Sequence, residues 1–448
     1  MKKHLLLLAV LVLFSGAAAL SQQKSWTLDE CIYHAIDNNI TIKRQELQTK
    51  IQKNSLTQSK LKLLPSLTAT ATENISMGRS LDPTTYQFVD NKVTDNRFTL
   101  GGSMDIFNGL QNYHSIKKYE YELLAGEQSL QEIKENILLN VALYYLQILL
   151  NKELVLATDE QLQVTLQQIE RTKVLVEAGS VALGNLLQIE AQAALEESQL
   201  INLQNKLDLS YLDITQLLEL PTPEGFEVVA PVISVDANAV IDETVENIFL
   251  IAIGERPSVK SYELKLMASE YDLKIARGMR SPRLTMGYSI ASSYSDARKM
   301  PATGGAYPFI DQLKDNRSRG LGFTLSIPIL NGWQTGKTIS NSKINIETSR
   351  YFLDEAKKNL YKSIQQAYTE ASAALKKFVA SQKAVIYMEE AFKYSEQRFD
   401  VGLVTPVDYN DSKSKLLEAQ SNLAQAKYEY IFKTKVLDFY KGIPLSLN

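Results

Sequence analysis

Phe107-Asn108-Gly109 returns as Leu330-Asn331-Gly332 after 223 residues, and Gly179 returns as Gly402 and Leu220-Pro221 as Ile443-Pro444 at the same interval. Nearer the start of each copy the interval is 217: Ala35-Ile36 against Ala252-Ile253, and Pro65-Ser66-Leu67 against Pro282-Arg283-Leu284. Two intervals, each held at more than one point, mean a duplicated chain with one net insertion of six residues in the second copy, between its proline and its Asn-Gly. A duplication restricts the fold to one assembled from two like units. Each copy reads as helix, strand, loop, strand, very long helix, tight turn, helix. The chain divides into a leader (1–21), a first repeat (22–221), a linker (222–240) beginning just after Pro221 and carrying Pro223 and Pro231, and a second repeat (241–448).

Four segments alternate with a period of two, so each has one apolar and one polar face. The first, Pro65 to Ser76, sets Leu67, Ala69, Ala71 and Ile75 against Thr68, Thr70, Thr72 and Asn74. The second, Phe98 to Phe107, sets Phe98, Leu100, Met104 and Ile106 against Thr99, Ser103 and Asp105. The third sets Leu284, Met286, Tyr288 and Ile290 against Thr285, Gly287 and Ser289. The fourth, Leu321 to Ile329, sets Leu321, Phe323, Leu325, Ile327 and Ile329 against Gly322, Thr324 and Ser326. About ten residues is the span of a tilted strand in a membrane. The polar faces hold Thr, Ser and Gly rather than Lys and Glu, and the connecting loops, 77–96 and 295–317, are long and polar, as in a transmembrane β-barrel. Four strands are too few to close a barrel, and hydrocarbon tolerates no open sheet edge. A barrel of these strands must be shared between copies of the chain, whose number the strands alone do not give.

From Leu110 to Ala178 there is no proline and Gly126 is the lone interruption; from Gln334 to Val401 there is no proline and Gly336 lies near the start. Ile133, Ile137, Val141, Tyr144 and Ile148 form a helical stripe in the first segment; Leu353, Leu360, Ile364, Ala367, Ala371, Ala374 and Phe378 form a heptad-like one in the second. Each helix is expected to be on the order of 100 Å long at ~1.5 Å per residue, against about three turns for an ordinary globular helix. Asn108-Gly109 and Asn331-Gly332 mark the strand-to-helix junctions, where glycine permits a sharp change of direction. The residues leave two readings open: a barrel that feeds long helices, and a pore-less periplasmic coiled-coil scaffold or adaptor. The four equivalent strands favour the first.

The N-terminus has the order of a secretory leader: Lys2 and Lys3, an apolar run from Leu5 to Phe14, then Ala17 to Ala19, with cleavage after Ala19 or after Ser21. No further run of about 20 apolar residues follows, so no transmembrane helix is expected. Cys31 is the single cysteine, so no disulfide framework forms. Loss of Lys2 and Lys3 takes the net charge from −3 to −5, which gives no sign of nucleic-acid binding. His4, His34 and His114 are isolated, leaving no visible His/Cys metal cluster. Gly332 to Thr338 misses the spacing of a phosphate loop by one residue. No cofactor and no enzymatic activity are expected.

The duplicated pattern, Pro328-Ile329-Leu330-Asn331-Gly332, and the segment from Phe399 to Asp411 (Phe-Asp-Val-Gly-Leu-Val-Thr-Pro-Val-Asp-Tyr-Asn-Asp) make the sequence resemble the TolC family of outer-membrane efflux factors over nearly all of the chain after the leader. The resemblance implies a mainly α fold with a transmembrane β-barrel: a homotrimer with a twelve-stranded barrel in outer-membrane lipid and long antiparallel helical hairpins forming a periplasmic tunnel. It implies the exit duct of a tripartite efflux or type I secretion system, docked to a periplasmic membrane-fusion adaptor and through it to an inner-membrane pump. The docking tips would be Gly179, Ser180 and Val181 in one turn and Gly402, Leu403 and Val404 in the other. Asp408 and Asp411 align with two acidic positions at the family's tunnel entrance. Their i, i+3 spacing puts both on one helix face, in two stacked rings that attract cations; from spacing alone they read equally well as acids at a helix N-terminus. Asn185 stands where some members have an acid, and Phe399 and Val404 where some have a tyrosine and a basic residue that latch the closed entrance. Asn39-Ile40 stands where Asn-Pro is usual, whereas the second copy keeps Pro257. The chain stops four residues after Pro444, short of a long C-terminal belt segment.

Overall fold

In a computed structural model the described residues are 24–81, 86–90, 92–231, 243–300 and 303–445. The expected leader lies outside them. Their chain order is β1 (Lys24–Trp26), α1 (Leu28–Asn38), α2 (Ile40–Leu61), β2 (Thr68–Ser76), β3 (Arg79–Leu81), β4 (Phe88–Asp90), β5 (Val93–Phe107), α3 (Gln111–Glu177), α4 (Leu183–Leu217), β6 (Phe226–Val228), α5 (Val245–Glu255), α6 (Pro257–Gly278), β7 (Arg283–Ser295), α7 (Phe309–Asp315), β8 (Ser318–Ser326), α8 (Gln334–Asp400) and α9 (Pro406–Tyr440). The duplication appears in the lengths: α1 and α5 both have 11 residues, α2 and α6 22, α3 and α8 67, α4 and α9 35. Sixteen residues separate β2 from β5 and 22 separate β7 from β8, so the six extra residues lie in the second hairpin connection, which contains α7.

The described residues divide into two compact units, one drawn from 24–46, 129–231, 243–259 and 356–445, the other from the described residues of 47–128 and 260–355. The second unit holds an antiparallel sheet of order β2-β5-β7-β8. Its register stacks the apolar positions in rows: Ala69 opposite Leu100 opposite Ile290, and Met104 opposite Met286 opposite Phe323. Along β8 this face lies open: Leu321, Phe323 and Leu325 are 66, 63 and 61% exposed.

Several boundaries depart from the sequence reading. The first strand begins at Thr68, not Pro65, although Ser66 N–H still donates to Ser103 O at 2.9 Å. The second begins at Val93, so the 77–96 loop is shorter and includes the β3–β4 hairpin. The fourth ends at Ser326, because Pro328 has no N–H to continue a ladder. Residues 295–317 are not a bare loop, since α7 folds there.

In the first unit the core gathers α1, α3, α4 and a two-stranded parallel sheet of β1 and β6 that no strand pattern announced. β6 lies inside the expected linker 222–240, with Phe226 and Val228 buried. Tyr145, on α3, pins both strands, donating to Trp26 O at 3.2 Å and Val229 O at 2.5 Å. By length and composition alone α3 would pass as a membrane-crossing helix, a test that a core helix also meets. The cause is local: Ile137, Val141, Ala142, Tyr145, Leu146, Ile148 and Leu149 are all core residues here. Every member of the predicted α8 stripe, from Leu353 to Phe378, is buried.

Candidate functional site at the two helical turns

Both turns of the first unit are built by one hydrogen-bond scheme. At the end of α3, Gly179 takes φ +72°, its N–H donates to Val176 O, and Ser180 N–H donates to Leu175 O, each at 2.9 Å. At the end of α8, Gly402 takes φ +77°, donating to Phe399 O at 2.9 Å while Leu403 N–H donates to Arg398 O at 2.8 Å. These paired bonds satisfy the last carbonyls of each helix and require a left-handed residue, hence glycine at both.

The helices that follow begin differently. Thr405 caps α9: its Oγ1 accepts from Asp408 N–H at 3.2 Å and donates to Asp408 Oδ2 at 2.8 Å, with Pro406 in the first turn. Ala182 precedes α4 with no side-chain cap, which leaves that end short of an acceptor for its free N–H groups. Phe399 does not latch through polar groups; it stacks on Tyr409 at 4.6 Å, and Phe392 meets the same ring at 5.4 Å.

A cavity of about 890 Å³ lies between the turns, and Val181, Asn185, Phe399, Gly402, Leu403, Val404 and Asp408 all reach its wall, beside Arg171 and Glu396. Asp411, Gly179 and Ser180 do not line it. Asp408 and Asp411 are both exposed. Asp411 pairs with Lys415 at 2.7 Å, one helical turn on, which offsets part of its charge.

One helical turn deeper lies a group the sequence reading missed. Lys413, 3% exposed, donates to Thr165 Oγ1 at 2.6 Å and Gln161 O at 3.1 Å. Thr165 in turn donates to Glu196 Oε2 at 2.5 Å, and Glu196, 6% exposed, also accepts from Gln192 Nε2 at 3.0 Å. The network ties α9 to both helices of the other hairpin. Burial pushes the Lys413 pKa below the ordinary lysine value, and the nearby Glu196 charge opposes that shift. The signal was available: Lys413 continues the buried series Pro406, Tyr409, Asn410, and Glu196 falls in the series Leu186, Ile189, Ala193, Leu200, Leu203. A charge at a core position of an otherwise apolar stripe marks a buried polar contact.

The predicted strand-to-helix junctions belong to the second unit. Gly109 (φ +67°) precedes Leu110 (φ +60°), and Gly332 (φ +59°) precedes Trp333 (φ +64°), so each junction turns on two successive left-handed residues. Asn108 O accepts from the Gln111 side chain at 2.7 Å, and Asn331 Nδ2 donates to Thr335 Oγ1 at 2.5 Å. Gly109 is doubly constrained, since a Cβ there would lie 2.4 Å from Gly278 O. Among the described residues no group of three or more His, Cys, Asp or Glu side chains is placed to hold a metal ion.

The chain is similar to the outer membrane efflux protein BepC of Brucella suis biovar 1 (strain 1330), 21% identical over 444 residues that cover 97% of this chain and 89% of that one. It is 22% identical over 321 residues to the outer membrane protein TolC of Escherichia coli (strain K12), covering 69% of this chain and 62% of that one. Its fold matches the crystal structure of the outer membrane protein VceC of Vibrio cholerae with a TM-score of 0.77, at 18% identity and over 94% of this chain and 97% of that one. The sequence profile of outer membrane efflux proteins matches residues 31–219 and 251–438, one stretch in each copy of the duplication. With paired long helices, a four-stranded sheet that exposes apolar side chains along β8 and this profile across both halves, the chain belongs to the outer membrane efflux protein family.

Proposed function

We infer that the chain is the outer-membrane exit duct of a tripartite efflux or type I secretion system, reaching from the outer membrane into the periplasm. The observation that carries this reading is the sheet: Leu321, Phe323 and Leu325 of its apolar face are exposed, and β2 and β8 stand at its edges, each paired on one side within the chain. In hydrocarbon each unpaired backbone group costs several kcal/mol, so the edges must meet further strands. Three copies joined β8 to β2 make a closed barrel of twelve strands with the Thr, Ser and Gly face toward water. The repeats 22–221 and 241–448 each supply one hairpin of the barrel and one of the tunnel wall. The turns at Gly179–Val181 and Gly402–Val404 serve as docking points for a periplasmic membrane-fusion adaptor, which links the duct to an inner-membrane pump. Asp408 and Asp411 form stacked carboxylate rings at the entrance, the lower field at Asp411 reflecting its pairing with Lys415.

Transport through such a duct is passive; the protein supplies a wide aqueous path and a movable entrance. Purified protein in planar bilayers should form cation-preferring pores blocked by multivalent cations, and Asp408→Asn with Asp411→Asn should weaken both properties. Unchanged selectivity and block in that variant would remove the rings. A monomer stable in water without detergent would remove the duct itself.

A further inference from the structure

The six-residue insertion is folded, and its placement follows from the register of the sheet. Phe98, opposite Ser292, and Tyr294, opposite Asn96, share a face with Leu100, Ile290 and Met286. The ring of Phe309, the first residue of α7, meets Phe98 edge-on at 6.2 Å and Tyr294 at 5.0 Å. Ser292 Oγ donates to Leu313 O at 2.6 Å. Three contacts from one face place α7 on the apolar side of the sheet, not on the Thr, Ser and Gly side. The segment is also closed in its own polar bonding. Gln312, fully buried, accepts from Ser295 N–H at 3.0 Å and donates to Ser295 O and Tyr307 O at 2.9 Å, while Asn316 Nδ2 donates to Ser293 O at 2.6 Å. The Arg298 guanidinium bonds Asn316 and lies 5.0 Å over the Tyr307 ring.

What this shelf presents outward is mixed. Ile310 is 58% and Phe309 41% exposed, Lys314 follows Ile310 by one helical turn, and Arg319 continues the row of Ile290. A loop that meets water alone gains nothing from exposing Ile310 and Phe309 on a rigid shelf. An apolar pair beside long basic side chains, with Asp311 and Asp315 exposed on the same short helix, suits the boundary where hydrocarbon gives way to headgroups, the charged chains reaching outward to water.

We propose that the shelf Phe309–Asp315 rests on the outside of the barrel wall and inserts Ile310 and Phe309 into outer-leaflet lipid at the hydrocarbon–headgroup boundary, anchoring the channel at that depth instead of plugging its lumen. This rests on the reading of the apolar face as lipid-facing, so the test carries its own reference positions. Full-length protein with Ile310→Cys, Phe323→Cys or Thr324→Cys is labelled with an environment-sensitive fluorophore; the native Cys31 is fully buried and stays unlabelled in the folded protein. Each is placed in phospholipid vesicles bearing a nitroxide at a shallow or a deep acyl carbon, and aqueous iodide is tested separately. At position 310 the shallow nitroxide should quench several-fold more than the deep one and iodide weakly; position 323 should respond to lipid nitroxide and position 324 to iodide. If 323 responds to lipid and 310 only to iodide, the anchor is overturned and the channel stands. If 310 is shielded from both quenchers it is packed on a second copy, which also overturns the anchor. If neither 310 nor 323 responds to lipid nitroxide, the sheet is not in the membrane and both readings fall.

Discussion

Replacing Lys413 tests whether the buried contact between the hairpins acts as one unit. The ammonium makes two hydrogen bonds, to Thr165 Oγ1 and Gln161 O, and losing a bond to a charged group costs about 1.5–3 kcal/mol each. Lys413→Met recovers the desolvation of a cation that is 3% exposed and leaves the Glu196 carboxylate, 6% exposed, still held by Thr165 and Gln192, which takes back much of that sum and leaves a net cost of about 2 kcal/mol. Glu196→Gln keeps the shape and the bond to Thr165 but strands the ammonium without a counter-charge, a loss of about 3 kcal/mol at the lower end of the range for broken buried pairs, because the two charges meet through Thr165. In the double variant no charge is left buried, so its cost should be about 2 kcal/mol instead of the additive ~5, a coupling of about 3 kcal/mol. For a chain this long 1 kcal/mol moves the melting midpoint on the order of 1–2 °C. Melting of the four detergent-solubilised proteins, followed by circular dichroism, should therefore show the double variant at least about 3 °C above the additive expectation. Additivity within about 0.5 kcal/mol, roughly 1 °C, would refute the linkage.

The same lysine predicts a pH dependence. Its folded-state pKa is lowered by burial, so between that value and the ordinary value of about 10.5 the unfolded chain holds a proton the folded chain has lost, and the unfolding free energy rises with pH. The destabilisation is full below the folded-state value and gone above the unfolded one. The wild-type melting point should thus gain on that of Lys413→Met as pH approaches 10.5, and a constant gap refutes the assignment. At the junctions, Gly332→Ala meets open space and incurs only the left-handed backbone cost of about 1–2 kcal/mol. Gly109→Ala adds a Cβ 2.4 Å from Gly278 O and should melt clearly lower than Gly332→Ala; equal melting points would mean the close approach is absent.

Periodic features were legible in the sequence and reciprocal ones were not. The α3 and α8 bounds and the stripe from Leu353 to Phe378 follow from spacing along one segment. β1 and β6 are three residues each, too short to show a period, and they pair across some 200 residues through Tyr145, so their strand character depends on a partner the local sequence does not contain. α7 is stabilised by Gln312 against the end of β7, again a contact made at a distance. At the turns, Gly179 and Gly402 were readable because a left-handed residue selects glycine. Leu110 and Trp333 take the same backbone conformation without that selection, although both side chains are exposed.

The matched lengths of the two halves make their differences informative. Helices of 67 and 35 residues recur with the same turn geometry, so the backbone scaffold of the two hairpins is equivalent and any unequal behaviour must come from side chains. The second turn carries the Thr405 cap, Pro406 and the Phe392–Tyr409–Phe399 stack; the first begins at Ala182 without a cap. A capped and stacked turn resists local fraying and moves as a piece, whereas an uncapped one can adjust at its first residues. Displacement of the second hairpin is then resisted where α9 is tied to α3, at Lys413 and again at the Lys427–Glu153 pair, 3.4 Å apart. The two ties are unequal. Lys427 and Glu153 are 31 and 43% exposed, a setting in which an ion pair contributes at most about 1 kcal/mol. Lys413 is buried, and breaking its contacts strands polar groups away from water. Opening an entrance formed by these turns would therefore be governed by the buried lysine one helical turn behind them more than by the exposed acids at the rim.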